Sequence, residues 1–257
     1  MNKKILINNG QNNCCKAINQ QLLQNLSVDY DLVFNPLHGK LFHAHQTLKP
    51  KMVVWSLSEY TQEFHDYITE HHKDVIILLL VDVPIKQKEL IDFIKSTNVK
   101  IILNETTGIE LNNIAKYSEL YEDSIFFDKK KERNDKTIAI LSGNNEENHI
   151  LHTVTYPDAD NKIIAMGNPQ FDSPINLGLF NLPDLANILN TFKSVIDITG
   201  KFKLASQACQ IPYISLDGDL KENLENNVYV KPVDNLDELS YKYFVNKNIL
   251  PFIRKTI

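Results

Sequence analysis

The sequence predicts an α/β protein built from two doubly wound parallel sheets. Short, continuous apolar runs typical of buried strands alternate along the chain with amphipathic stretches of helical spacing. This alternation occurs on both sides of a charged run at 128–136, DKKKERNDK, which we interpret as a solvated linker. The chain has 257 residues, which is enough for two modest domains. We therefore expect two similar α/β domains that face each other across a cleft.

The first half contains predicted strands that are rich in branched apolar residues. Several of these runs end at Asn or Asp, residues that favour turns. The predicted strands are 4–8, 31–35, 51–56, 74–82, 100–104 and 124–127. The predicted helices are 14–26, 58–72, 86–97 and 107–117, and 35–50 is predicted to be a loop. Strands of this kind alternating with helices indicate a parallel sheet.

The second half repeats the alternation with shorter elements. Its predicted strands are 137–141, 162–166, 176–180, 194–198 and 213–216. Its predicted helices are 185–192, 202–209 and 236–246. We place the first domain at 1–130 and the second at 136–240.

Composition and charge exclude several classes of protein. The net charge of −5 and the pI of about 5.9 argue against a protein that simply coats nucleic acid. Three cysteines, two of them adjacent at Cys14 and Cys15, form neither a disulfide framework nor a zinc motif and fit a reducing, cytoplasmic setting. The N-terminus does not resemble a signal peptide, and the longest apolar run is too short for a membrane span. Motifs of nicotinamide dehydrogenases, P-loop NTPases, serine hydrolases and zinc proteases do not occur in the sequence.

Turns that contain glycine or asparagine follow the predicted strands of the second domain. Ligands of doubly wound sheets bind outside the carboxyl ends of the strands, and glycine lets backbone N–H groups approach a diphosphate. Two lysines in these turns add cationic contacts. The predicted diphosphate-binding residues are Ser142, Gly143, Asn144, Gly167, Gly178, Thr199, Gly200, Lys201 and Lys203. The alternative is that these residues only form tight turns.

Carboxylates follow two predicted strands of the first domain. Asp82 comes directly after a nearly all-apolar strand, where burial raises a carboxyl pKa and suits the group to general-base catalysis. Glu59 occupies a comparable place after the third strand. We predict that the first and fourth strands flank the point where strand order reverses, with Gly10 and Gln11 at the end of the first strand. Capping of the next helix is the alternative role of either carboxylate.

Three histidines, His38, His43 and His45, lie in the predicted loop at 35–50. Their spacing permits metal binding, but no Cys or acidic residue is close to them in sequence. We therefore predict no metal site and assign the histidines to contact with an acceptor substrate. Solvated loop residues are the alternative interpretation.

A longer series of residues is found at 185–239. It comprises Gly200, the run ACQIPYIS at 208–215, Gly218, Glu222, the run VYVKP at 228–232, and DEL at 237–239. The series resembles the donor-binding half of GT-B glycosyltransferases, in which a similar run closes the nucleotide-sugar site. The resemblance implies two Rossmann-like domains, a donor contact by Glu222, and a segment at 241–257 that crosses back to the first domain. It also implies transfer of a sugar from a nucleotide-sugar donor to an acceptor hydroxyl, without a cofactor or divalent metal.

The series departs from the superfamily motif at two positions. Its ribose-binding Glu falls on Ala205, and its Gly before the Pro step is Gln210. The turn at 199–201 is shortened, as in epimerase-like members that carry Ser-Gly-Gly there. A sugar-nucleotide epimerase and a non-catalytic ligand-binding module therefore remain open beside the glycosyltransferase.

The acceptor that the resemblance implies is a surface glycan, a small molecule or a modified DNA base. The last of these is suggested by the Asn-, Lys- and Ile-rich composition, which is typical of phage proteins. The sequence does not determine the donor, the acceptor or the oligomeric state.

Overall fold

The computed structural model describes residues 3–8, 13–35, 41–57, 62–71, 73–81, 92, 99–104, 115–117, 120–151, 163–171 and 175–257. The chain divides into two compact units, Met1–Leu120 with Tyr241–Ile257 and Tyr121–Ser240. Each unit contains a parallel sheet with helices between its strands. The predicted α/β class with two Rossmann-like parallel sheets is confirmed.

The sheet of the first unit is parallel throughout. Its strands are β1 (Lys4–Asn8), β2 (Asp31–Asn35), β3 (Met52–Leu57), β4 (Ile76–Val81), β5 (Lys100–Asn104) and β6 (Ala115–Tyr117). Their order across the sheet is β2-β1-β3-β4-β5-β6, so the direction of winding reverses between β1 and β3. This order corrects the prediction that the first and fourth strands flank the reversal, because β3 lies between them.

The helices of the first unit come from both ends of the chain. They are α1 (Asn13–Leu26), α2 (Leu41–Leu48) and α3 (Gln62–His71), followed near the C-terminus by α7 (Tyr241–Phe244), a π-helical turn (Val245–Ile249) and α8 (Leu250–Thr256). Ile18 and Leu22 of α1 are buried in one core with Val245, Ile249 and Ile253 of the C-terminal segment. The segment 241–257 thus completes the core of the first unit.

The second unit has a shorter regular sheet that isolated bridges extend. Its strands β7 (Thr137–Ile140), β8 (Ile163–Met166) and β9 (Ser194–Asp197) pair in the parallel order β8-β7-β9. Asn176 bridges to β8, Tyr213 bridges to β9, and Tyr229 bridges antiparallel to Ile214. The predicted strands 176–180 and 213–216 therefore reduce to short bridged segments, and the first of these contains Gly178 at φ 70°.

Two of the three regular helices of the second unit begin at a side-chain cap. They are α4 (Leu182–Leu189), α5 (Lys203–Ala208) and α6 (Leu220–Glu225). The Asn181 side chain accepts the backbone N–H of Asp184 in α4, and Asp219 accepts two N–H groups of α6. The predicted helix 236–246 is divided at Ser240, which is extended and bridges to Tyr121.

The charged run at 128–136 is largely exposed but is part of the second unit rather than a linker between two domains. The Arg133 guanidinium donates to the backbone oxygens of Cys209 and Gln210, at 2.5 and 2.7 Å. The backbone N–H of Lys129 donates to the Asn190 side chain, and that of Asn134 donates to the Thr191 carbonyl. These bonds attach the run to the second unit, whose first residue is Tyr121 rather than a residue near 136.

Three local predictions in the first half are wrong. The predicted strand 124–127 is a turn, since the N–H groups of Ile125 and Phe126 both donate to the Glu122 carbonyl. The end of the predicted helix 107–117 is strand β6, which pairs with β5, and most of the predicted loop 35–50 that is described forms α2. The predicted helix 86–97 lies almost entirely outside the described residues. Among the described helices, none combines the length and the apolar character needed to cross a membrane.

Candidate functional site

The loops at the carboxyl edge of the second sheet hold most of the predicted site residues. Because β7, β8 and β9 run parallel, the segments that follow them, 141–148, 167–171 and 198–202, leave the sheet at the same edge. The segment 215–219 joins them there, since Tyr213 and Ile214 continue the sheet in parallel beside β9. The topology therefore places four loops of the second unit at one edge.

Buried asparagines fix the loop after β7. The Asn148 side chain is fully buried, accepts the backbone N–H of Ser142 at 2.8 Å and donates to its carbonyl at 2.7 Å. Asn168, in the loop after β8, donates to the same carbonyl and to the side-chain oxygen of Asn145 at 2.7 Å. The predicted residues Gly143 and Asn144 are exposed on the loop that these bonds hold.

Asn176 links the loop after β8 to the edge segment beyond it. Its side-chain nitrogen donates to the carbonyls of Asn168 and Phe171, and its oxygen accepts the N–H of Gly178. Gly167 donates to the Gly178 carbonyl at 2.7 Å and has φ of 101°. A Cβ at Gly167 would lie 2.9 Å from the Leu141 carbonyl oxygen, so this glycine is required by the close approach of two loops.

A buried carboxylate closes the predicted phosphate-binding turn at 199–201. Asp197, at the end of β9, has an exposed fraction of 0%. It accepts the N–H and the hydroxyl of Thr199, at 3.0 and 2.7 Å, and the N–H of Phe202 at 2.7 Å. The N–H groups of Gly200 and Lys201 donate to the Asp197 carbonyl and to the Thr199 hydroxyl. The amides of this turn are therefore already satisfied within the protein, and only the Lys201 side chain projects an unused cation into solvent.

The loop before α6 presents acidic side chains. Asp219 caps the helix, Asp217 is exposed beside it, and the predicted residue Glu222 is exposed in the first helical turn. The buried Asn223 side chain donates to the carbonyls of Ser215 and Asp217, at 3.0 and 2.8 Å. This loop is thus held by the same kind of buried amide as the loop after β7.

Carboxylates outnumber cations on the exposed part of this edge. Glu146, Glu147, Asp217, Asp219 and Glu222 are exposed there, against the predicted cations Lys201 and Lys203. Side-chain amides supply most of the remaining polar groups. Carboxylates and amides accept hydrogen bonds from ligand hydroxyl groups, so a ligand with many hydroxyls suits this surface. Among the described residues of this edge, a diphosphate can form favourable charge contacts only with the two lysines.

Residues 205–207, where the superfamily motif has its ribose-binding Glu, contribute to packing and to hydrogen bonds within the second unit. Ala205 is buried, and the Ser206 hydroxyl donates to the Phe202 carbonyl at 2.7 Å. The Gln207 side chain donates to the Lys231 carbonyl and accepts the N–H of Val233. Neither Ser206 nor Gln207 therefore replaces the missing carboxylate, which leaves Glu222 as the candidate carboxylate on α6.

Most candidates of the first unit lie outside the described residues. These are Glu59, Asp82, Gly10, Gln11 and His38. The described strands β1 and β3, which end at Asn8 and Leu57, flank the reversal of strand order.

His43 and His45 lie on α2 rather than in a loop. His43 is exposed, whereas His45 Nδ1 lies 2.8 Å from the Tyr67 hydroxyl and its ring stacks on His71 at 4.1 Å. Burial and the neighbouring His71 lower the pKa of His45, and burial raises the pKa of Tyr67. Tyr67 and His71 belong to α3, so these contacts join α2 to α3 near the helix ends that lead into β3 and β4. His45 therefore sits toward the amino edge of the sheet, opposite the edge where an acceptor is expected.

No group of three or more His, Cys, Asp or Glu side chains that could hold a metal ion occurs within the described ranges. The buried Cys209 thiol has its pKa raised to about 11 by burial, which makes it a packing residue rather than a nucleophile.

Sequence reasoning did not find the residues that organise the carboxyl edge. Asn148, Asn176, Asn223 and Asp197 were not singled out, and Asn168 was noted only beside Gly167 at the end of a strand, although all five support the predicted loops. The available signal was the recurrence of Asn shortly after predicted strands. Asn in that position is equally typical of an isolated turn, so the signal is not specific.

Comparison with known proteins gives a likeness of fold. No family model matches the sequence, and no curated protein sequence matches it. A protein from Listeria monocytogenes, assigned as a UDP-N-acetylglucosamine 2-epimerase, has a similar structure, with a TM-score of 0.53, 8% identity and coverage of 99% of this chain and 89% of that chain. S. aureus MnaA, solved with UDP, is similar with a TM-score of 0.50, 13% identity and coverage of 100% and 98%. Both likenesses cover nearly the whole chain and, at this level of identity, show a similarity of fold.

Gly167→Ala is expected to lower the free energy of unfolding by about 1–3 kcal/mol, because the φ of 101° and the nearby Leu141 carbonyl both oppose a side chain. Urea unfolding measures the change. Gly143→Ala is the matched control, since no atom lies within 4 Å of its Cβ position, and it should change stability by less than about 0.5 kcal/mol. Equal stability of the two variants would contradict the requirement for glycine at 167.

Asp197→Ala is expected to lower the free energy of unfolding by about 3 kcal/mol, because it leaves buried N–H donors of the 199–202 turn without an acceptor. The stability of Asp197→Asn should lie between those of the wild type and Asp197→Ala, since the amide oxygen of Asn still accepts the hydrogen bonds made to one of the two carboxylate oxygens. Asp135→Ala removes an exposed carboxylate of the same unit and serves as the control. A wild-type unfolding midpoint for Asp197→Ala would show that the turn does not depend on the carboxylate.

The lowered pKa of His45 predicts that stability falls as the pH drops below about 6.5, the value of an unperturbed histidine. Below that pH, His45 is protonated in the unfolded chain but stays neutral in the folded protein. The free energy of unfolding therefore decreases until the pH reaches the pKa of His45 in the folded protein. His45→Gln should flatten this part of the stability curve, measured by urea unfolding across pH. His43→Gln, on the same helix but exposed, should leave the slope unchanged.

Proposed function

We propose that this chain binds a uridine diphosphate sugar at the carboxyl edge of the second sheet and acts on it as a sugar-nucleotide epimerase. The observation that carries the proposal is the likeness, over nearly the whole chain, to a protein assigned as a UDP-N-acetylglucosamine 2-epimerase and to S. aureus MnaA with UDP. The short turn at 199–201, similar to that of epimerase-like members of the superfamily, agrees with it.

The described contacts suggest how the nucleotide is held. Because Asp197 occupies the amides of the 199–201 turn, the diphosphate is assigned to the side chains of Lys201 and Lys203 and to the Ser142–Asn144 loop. Glu222 is assigned to the ribose hydroxyls, since a carboxylate accepts from both of them and the Ala205 position offers none. Gly167 and Gly178 support these loops rather than touch the ligand.

Epimerisation requires groups near the sugar that can remove and donate a proton. A carbon that carries hydrogen can be inverted when its proton is removed on one face while the electron pair expels the nucleoside diphosphate from the neighbouring carbon. The diphosphate then adds back as a proton is returned on the other face, and carboxylates serve both proton transfers. Glu59 and Asp82 remain the residues predicted to carry out these proton transfers. Glu59 is favoured because it follows β3, which flanks the reversal of strand order.

Glycosyl transfer is the second candidate, favoured by the motif resemblance at 185–239. It uses the same nucleotide contacts but requires an acceptor hydroxyl, a glycan, small molecule or DNA base, and a base that deprotonates it. The two functions differ in their products. An epimerase interconverts nucleotide sugars without an acceptor, whereas a transferase releases the nucleoside diphosphate when the acceptor is present.

A thermal-shift series with UDP, UDP-N-acetylglucosamine, ADP and GDP tests the binding step. A uridine nucleotide at about 100 times its dissociation constant should stabilise the protein by about 2.7 kcal/mol. Lys201→Ala combined with Lys203→Ala should abolish the shift, and Lys193→Ala, an exposed lysine of the same unit, should keep it. The absence of a shift from every nucleotide would overturn the proposal.

Proton NMR of UDP-N-acetylglucosamine incubated with the protein in deuterium oxide tests the chemistry. The expected result is a second epimer that has gained deuterium at the inverted carbon. UDP release only with an acceptor would assign a transferase instead. A thermal shift without any product would assign a non-catalytic binding module.

A further inference from the structure

The amino edge of the first sheet carries lysines where two adjacent strands begin. Lys3 precedes β1, Lys4 is its first residue, and Lys49 and Lys51 precede β3. Lys3, Lys49 and Lys51 are exposed, and Lys4 is half-buried. We call these four residues the basic edge.

Backbone pairing holds the basic edge together. The N–H of Lys51 donates to the Lys4 carbonyl at 2.9 Å, and β1 and β3 are parallel neighbours. Adjacent strands lie about 4.8 Å apart, so the four side chains leave the sheet from neighbouring points. The basic edge is therefore fixed by the sheet and does not depend on a flexible loop.

Like charges at this spacing repel one another unless anions neutralise them. Within the part of the chain that the structure describes, no carboxylate forms an ion pair with Lys3, Lys4, Lys49 or Lys51. Asp29 precedes β2, and Asp31, which begins β2, is the Cα partner of Lys4. On the other side, Lys73 and Asp74 precede β4, and Lys100 begins β5. Among these residues six lysines stand against three aspartates, in a protein whose net charge is −5.

Lys49 occupies a backbone position that favours glycine. It follows the last turn of α2, its N–H donates to the His45 carbonyl, and its φ is 47°. Helices commonly end with Gly at this position, because a side chain in the left-handed region costs about 1–2 kcal/mol. A lysine held there keeps its charge at the edge of the sheet.

An apolar side chain extends beyond the same edge. Val28, in the turn between α1 and β2, is 91% exposed. Because β2 is the neighbour of β1, Val28 lies at the amino edge next to the lysines. The edge thus combines clustered positive charge with one protruding apolar group.

We propose that the basic edge and Val28 dock this protein on an anionic lipid surface. Groups of four or more lysines at one site are attracted to acidic lipid headgroups, and a protruding apolar residue enters the headgroup layer. A nucleic acid fits the edge less well, because single strands are held by exposed aromatic side chains. Tyr30, the described aromatic residue in the turn before β2, is packed against the core.

Sedimentation with vesicles of phosphatidylcholine, with and without phosphatidylglycerol, tests the proposal. The full chain should bind only vesicles that contain phosphatidylglycerol, and added salt should weaken binding. Lys49→Gln combined with Lys51→Gln should weaken it about 30-fold, since each lysine contributes about fivefold near such a surface. Val28→Asn should also weaken binding but leave its salt dependence unchanged.

Lys130→Gln combined with Lys131→Gln is the matched control. Lys130 has φ of 50°, as Lys49 has φ of 47°, and both control lysines are exposed in the second unit. This pair should retain binding to within about twofold. Three results would overturn the proposal. They are an equal loss of vesicle affinity in the two double variants, no vesicle binding by the wild type, and tighter binding to a single-stranded oligonucleotide than to vesicles. The uridine nucleotide thermal shift should be the same in all these variants, so failure here is distinguishable from failure of the epimerase proposal.

Discussion

Backbone groups that leave a parallel sheet must find new hydrogen-bond partners, and the second unit depends on how that demand is met. At the carboxyl edge the partners are the buried side chains of Asn148, Asn168, Asn223 and Asp197 and the half-buried side chain of Asn176. Each bonds to the backbone of a loop, and Asn168 connects two loops that are distant in sequence. Unpaired polar groups at such sites cost about 1–3 kcal/mol each, so these few residues determine which loop shapes are stable.

The same constraint limits the chemistry of the edge. A glycine-containing turn after a strand usually offers free amides to an anion, but here the anion is the protein's own Asp197 carboxylate. Under the proposed function, recognition of a diphosphate therefore falls to side chains, and lysines act as mobile point charges rather than as a fixed cradle. Selectivity among nucleotide sugars would come mainly from the amide and carboxylate groups that surround the hydroxyls.

Sequence patterns predicted the strands of the first unit well, because a buried parallel strand is continuously apolar and few other structures share that pattern. Strands β1, β2 and β5 have the predicted bounds. The pattern failed at 41–48, where a short helix with two histidines reads as a polar loop, and at 124–127, where local turn bonds overrode residues that favour strands. The hydrogen bonds among the asparagine side chains could not be predicted from the sequence, since Asn168 and Asn145 come into contact only after two separate loops have folded. The closure of the 199–201 turn depended likewise on a buried orientation of Asp197 that composition does not reveal.

The return of the C-terminal segment to the first unit has a consequence for biogenesis. The second unit is one uninterrupted stretch, whereas the first is discontinuous and shares its core with Val245, Ile249 and Ile253. A ribosome therefore delivers every residue of the second unit before it delivers the residues that finish the first. The unit that lies first along the sequence therefore cannot be completed first, because the 1–120 region exposes an apolar face until 241–257 has been made. Such a chain needs chaperone protection of the 1–120 region for the whole time that the second unit is being synthesised.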